Sequence, residues 1–93
     1  MKGYSVGMKV KVLYRDNTDH TRSVLTFQQE FKMRTGADLE LVSLDTVEGS
    51  SIAKVYDITS YPAVLVTTDT GELQQLWQGE HLPLINDVRG YLR

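Results

Sequence analysis

The stretch Ser60-Tyr61-Pro62-Ala63-Val64-Leu65-Val66 sets a proline directly ahead of four apolar residues. A continuous apolar run of this kind suits a strand at the centre of a sheet, covered on both faces. Proline has no main-chain N–H to give to a ladder. Inside a sheet it is confined to edges, bulges and the first residue of a strand. Pro62 is therefore read as the entrance to an interior strand over Ala63–Thr68, and the rest of the chain must supply strands beside it and helices over it.

The flanking residues supply them. Met8, Val10 and Val12 alternate with Lys9 and Lys11 before Leu13-Tyr14, which predicts a strand over Met8–Tyr14 that starts half exposed and ends buried. The polar stretch Arg15–Ser23 is crowded with residues able to cap a helix: Asp16, Asn17, Thr18, Asp19 and Thr21. Val24, Phe27 and Phe31 then recur at helical spacing, and Gly36 is a C-terminal stop. Leu39–Leu44, apolar at 39, 41, 42 and 44, reads as a central strand covered on both faces. A short helix is expected after Asp45-Thr46 or from Ser50, burying Ile52, Val55 and Tyr56. Thr68–Glu72 has the Asp and Gly of a hairpin turn, with a fourth strand over Leu73–Gln78. Pro83 suits the first turn of a last helix that buries Leu84, Ile85, Val88, Tyr91 and Leu92. The order is β-α-β-α-β-β-α, an α/β chain of one domain over 8–93 after a short tail, 1–7, whose Gly3, Ser5 and Gly7 favour neither helix nor strand.

Composition removes several kinds of chemistry. Among 93 residues there is no cysteine, so disulfides, thiol catalysis, thiolate zinc and iron–sulfur ligation are all unavailable. The net charge is −2 and the ten Lys and Arg are scattered, which gives no basic surface for nucleic acid. The longest apolar run, Ala63–Val66, is far too short to span a membrane. No apolar segment precedes Gly7 as in a signal peptide, so a cytoplasmic location is expected.

This order of elements, with a proline at the mouth of the third strand, resembles the thioredoxin fold in its small, glutaredoxin-sized form. Three segments carry the resemblance. "VSLDTVEGSSIAKVYDITSYPAVLV" is similar to the family's strand, short helix and cis-proline before the next strand. "VTTDTGELQQLWQGE" is similar to its closing hairpin, ending at Gly79. The first strand runs directly into a polar turn and a helix, where the family carries Cys-x-x-Cys. The resemblance implies a four-stranded mixed sheet flanked by helices and a cis bond before Pro62. It sets Asp19, His20, Thr21 and Arg22 on the Cys-x-x-Cys positions, with Thr18–Thr21 as the register one residue away. Disulfide exchange needs a thiolate. The resemblance thus implies a redox-inactive member that is not an enzyme of the family's kind. In the family the main chain before this proline pairs with an extended peptide or with glutathione; here that residue is Tyr61.

Each candidate has a plainer alternative. His20, beside Asp19 and near Asp16, has the setting of a general base or metal ligand and equally that of a surface histidine on a helix end. His81, the other histidine, has no spacing that links the two, so no metal and no cofactor is expected. Arg15, Thr18, Thr21 and Arg22 surround a helix start that would attract an anion, but Asp16 and Asp19 are expected to cap it first. Tyr61 with Pro62, Thr18 and Thr21 is a candidate peptide or ligand groove; the alternative is a tyrosine that covers the core. Trp77, on an edge strand, is expected under the last helix or, if exposed, at a homodimer or partner surface. The function expected from these residues is binding of an unidentified protein or peptide, with glutathione or another small ligand at the proline corner, or a structural dimerisation role, as alternatives.

Overall fold

The computed structural model describes residues 7–79 and 81–92. Seven elements follow in order: β1 (Met8–Tyr14), α1 (Thr21–Thr35), β2 (Glu40–Ser43), α2 (Val47–Val55), β3 (Ala63–Thr68), β4 (Leu73–Gln78) and α3 (Ile85–Arg89). The strands form one mixed sheet in the order β2-β1-β3-β4. β1 pairs parallel with β2, Lys11 opposite Glu40, and antiparallel with β3, Val12 opposite Val64. β3 pairs antiparallel with β4, with a bulge that sets Val66 opposite Gln75 and Thr67 opposite Leu73.

Strand alternation divides the core into two faces. Val10, Val12, Val64 and Val66 point to one side and bury Val24, Phe27 and Phe31 of α1 with Ile85 and Val88 of α3. Leu13, Ala63 and Leu65 point to the other, with Val42 and Ile58, against Ile52, Ala53 and Tyr56 around α2. β3 is buried along five of its six residues, as an interior strand flanked by two others must be. Its apolar run is the reason it occupies that place.

Four expectations are corrected. Leu39–Leu44 does not form a central strand: β2 is four residues long and pairs only with β1, because no other strand of the described residues lies beyond it. Val55 is 72% exposed, since α2 turns Ile52 toward the sheet and its last residue away from it. Leu84 is 71% exposed and stands at the N-cap of α3, which begins after Pro83 rather than on it. Asp16 and Asp19 do not cap α1, whose N-cap position is His20 with no side-chain bond to the first turn. The expected tail lies outside the described residues except for Gly7, whose carbonyl accepts a hydrogen bond from Asp69 N–H at 3.1 Å.

α2 comes close to the sheet at Gly49. Thr46 caps the helix by accepting Gly49 N–H at 3.0 Å, and a Cβ on Gly49 would lie 2.0 Å from the Ser43 carbonyl oxygen. Only glycine permits this approach.

Candidate functional site

Because β1 and β2 run one way and β3 the other, the C-terminal ends of β1, β2 and β4 and the start of β3 lie at the same end of the sheet. The loop between β1 and α1, the connection from β2 to α2, the turn before β3 and the connection after β4 all gather there. The predicted site residues Thr18, Asp19, His20, Thr21, Arg22, Tyr61 and Pro62 fall on two of these four segments.

The loop 15–20 is bonded from within. Arg15 is its hub. The Arg15 carbonyl accepts the Thr18 hydroxyl at 2.8 Å and the Thr21 hydroxyl at 3.2 Å, and the Arg15 N–H donates to His20 Nε2 at 3.3 Å. Thr21 Oγ1 in turn accepts Thr18 N–H at 3.2 Å. Asn17 takes a left-handed conformation, φ 59°, which asparagine tolerates better than most residues. These bonds use the hydroxyls of Thr18 and Thr21 on the chain itself. Asp19 and Arg22 are exposed, and neither takes part in an ion pair among the described residues.

Asp16 faces the neighbouring connection instead of the helix. Its Oδ2 accepts the Ser43 hydroxyl at 2.9 Å, and Ser43 Oγ accepts Asp45 N–H at 3.1 Å. Asp16 also acts on Tyr14: burial first, and then the Asp16 carboxylate, hold the Tyr14 phenol above its ordinary value. Both effects oppose formation of a phenolate.

The turn before β3 is held from outside. Gln78 Oε1, at the end of β4, accepts both Thr59 N–H and Ser60 N–H at 3.0 Å. Tyr61 is half-buried against Leu13, Val42, Ile58, Ala63 and Leu65, and its hydroxyl donates to the Ile58 carbonyl at 3.1 Å. Its ring therefore covers the core. The Tyr61–Pro62 bond is cis, Pro62 is buried, and the Pro62 carbonyl accepts Gly79 N–H at 3.2 Å. Among the described residues neither the N–H nor the C=O of Tyr61 has a hydrogen-bond partner. These two main-chain groups are among the unpartnered polar atoms of the corner within the described residues.

Trp77 is half-buried and meets Tyr91 edge to face with ring centroids 5.8 Å apart. The Tyr91 hydroxyl accepts Gln75 Nε2 at 2.9 Å, while Gln75 Oε1 accepts Leu76 N–H at 2.9 Å. The outer edge of β4 thus has one main-chain donor already occupied by its own side chain. No group of three or more His, Asp or Glu able to hold a metal occurs among the described residues, and none of their helices is long and apolar enough to cross a membrane.

Sequence reasoning missed Gln78, which fastens the turn before β3 across 18 and 19 residues of chain. A glutamine at a strand end carries no signal of such a role. The Asp16–Ser43 contact was equally hidden, since nothing local relates two residues 27 apart.

No protein-family model and no curated protein sequence matches the chain. Solved structures do. The oxidised thioredoxin of Plasmodium falciparum aligns with a TM-score of 0.67 at 15% identity, over 91% of this chain and 77% of that one. Thioredoxin 1 of Thermosipho africanus aligns with a TM-score of 0.65 at 16% identity, over 89% of this chain and 92% of that one. Mitochondrial thioredoxin 3 of Saccharomyces cerevisiae, in its oxidised form, aligns with a TM-score of 0.65 at 17% identity, over 95% of this chain and 78% of that one. At such identities the likeness establishes the fold alone: this chain has a thioredoxin-like fold and no cysteine with which to run thiol chemistry.

Proposed function

We propose that this thioredoxin-like chain is a non-catalytic interaction module of the cytoplasm that receives an extended peptide or protein segment at Tyr61-Pro62. Asp19–Arg22, which lead into the first turn of α1, form the other side of the contact. The observation that carries this reading is the pair of unpartnered main-chain groups of Tyr61 at the mouth of the central strand, among the described residues. An N–H and a C=O on one residue can exchange two hydrogen bonds with an extended segment, the unit of pairing between antiparallel strands. The Tyr61 ring is fixed by its hydroxyl and by the core, so little order would be lost on binding. Without a thiolate the contact has no disulfide exchange to follow it.

The test is a pull-down with the wild type and with Tyr61→Ala, followed by amide mapping of each recovered partner. The variant keeps the main-chain groups but loses the ring and the hydroxyl bond to Ile58 that fix them, so partners of the corner should be depleted with it and should shift the Tyr61 amide of the wild type. Equal recovery by both proteins, with Tyr61 unmoved, removes the reading. A titration in which glutathione alone shifts the Tyr61 and Thr21 amides would assign the corner to a small ligand instead.

A further inference from the structure

The loop 15–20 contains one bond whose existence depends on the charge of a side chain. His20 Nε2 is placed 3.3 Å from the Arg15 nitrogen as the acceptor of its N–H, a role Nε2 can fill only without a proton of its own, which in a neutral ring leaves the proton on Nδ1. An imidazolium has an N–H at both ring nitrogens. Protonation would set the Arg15 N–H against a second donor, and the contact would have to break. We propose that His20 is a proton-operated latch on this loop, closed when the imidazole is neutral and released when it is charged.

Release would not stay at one bond. Arg15 also receives the Thr18 and Thr21 hydroxyls on its carbonyl, and Thr18 N–H rests on Thr21 Oγ1. The ring thus holds one side of the residue on which the other loop bonds converge. The affected segment lies at the same end of the sheet as Tyr61. Its effect on a bound segment rests on the function proposed above, but the latch is a property of the free chain and can be tested without a partner.

Other charged and titratable groups lie at this end of the sheet. Arg15, Asp16, Asp19 and Arg22 belong to the loop and the start of α1, and Asp45 to the β2–α2 connection. Tyr14 ends β1, Asp57 and Tyr61 precede β3, and His81 follows β4. Asp16 is engaged with Ser43, which leaves Asp19 as the loop's carboxylate outside that contact. Acidification from pH 8 to 5 spans the range in which histidine side chains generally take up their proton.

The decisive experiment is nuclear magnetic resonance of the free protein across that range. At pH 8 the ring nitrogens of His20 should report a proton on Nδ1. On acidification the amides of Arg15, Thr18 and Thr21 should shift together, with the midpoint of the His20 ring itself. His20→Gln, which keeps a neutral acceptor at every pH, should abolish the transition, and His81→Gln should leave it as in the wild type. A His20 ring protonated on Nε2 at pH 8 overturns the proposal. So do loop amides that titrate unchanged in His20→Gln, which would assign the transition to the carboxylates, or a transition lost with His81→Gln.

Discussion

The loop 15–20 and the turn 57–62 lie at one end of the sheet and are held differently. The loop is closed mainly by the side chains of Thr18, His20 and Thr21, through bonds that span three to six residues of sequence, with Asp16 reaching out to Ser43. The turn has one side-chain bond of its own, from the Tyr61 hydroxyl to the Ile58 carbonyl; its amides are held by Gln78 from a distant strand, and the main chain of Tyr61 is left without a partner among the described residues. A loop bonded from within keeps its shape largely through its own residues. A turn bonded from outside depends on the sheet, and its unused groups remain available to something else.

The comparison can be broken at several points, and the largest effect is expected at Gly49. Gly49→Ala would push a Cβ to 2.0 Å from the Ser43 carbonyl, and the helix or the strand end would have to move. A loss of about 3 kcal/mol in urea denaturation is expected, at the upper end of the usual cost of overpacking. Because Asp16 grips Ser43, the loop amides should shift as well; an unchanged loop would show that it owes nothing to that contact.

Gln78→Leu separates the two regions more cleanly. It removes the acceptor of two main-chain amides at once, for a cost of about 1–2 kcal/mol. Hydrogen exchange at Thr59 and Ser60 should quicken while residues 15–20 stay as they were. Faster exchange in both segments would mean that they are one cooperative unit. The converse variant, Thr21→Val, takes away the acceptor of Thr18 N–H and one donor to Arg15, at a cost of about 1 kcal/mol. It should disturb the loop and leave Thr59 and Ser60 alone.

Alkali offers a smaller, graded probe at the root of the loop. The Tyr14 phenol is held above its ordinary value in the folded chain, so above about pH 10 the unfolded chain releases its proton first. Tyr14's contribution is fully present below that pH and is lost as pH rises through the folded-state value. Stability measured from pH 8 to 11 should fall more steeply for the wild type than for Tyr14→Phe, and parallel curves would contradict the burial and the Asp16 effect. Asp19→Ala should have the smallest consequence, within about 0.5 kcal/mol, since Asp19 caps nothing in α1. A loss near 1 kcal/mol, the usual value of an N-cap, would show that it does.

The local parts of this protein were legible in its residues. The bounds of β1, β3 and β4, the buried stripe Val24, Phe27 and Phe31, and the stop at Gly36 all follow from spacing and from the conformations that single residues tolerate. The absence of cysteine decided against thiol chemistry with no structure at all. The burial of Val55 and Leu84 was misread because helical spacing shows that a face exists without showing where a short helix begins or ends. The N-cap of α1 is not legible because five candidate residues crowd positions 16–21 and the cap falls on His20, which stands between them and is not one of them.

What the sequence determined by itself is the set of elements, the interior strand behind Pro62 and the chemistry that is missing. What only the tertiary structure decided is where β2 lies in the sheet, which atoms of the proline corner are occupied, and what Asp16, His20 and Gln78 hold. The physical reason is range. Turn preferences, caps and hydrophobic periodicity act over a few residues and are written in order along the chain. A strand's place in a sheet, or an amide oxygen reaching two N–H groups 18 and 19 residues away, exists only once distant segments have packed. Tyr61 belongs to both descriptions: its place before Pro62 is sequence, and its open main chain is structure.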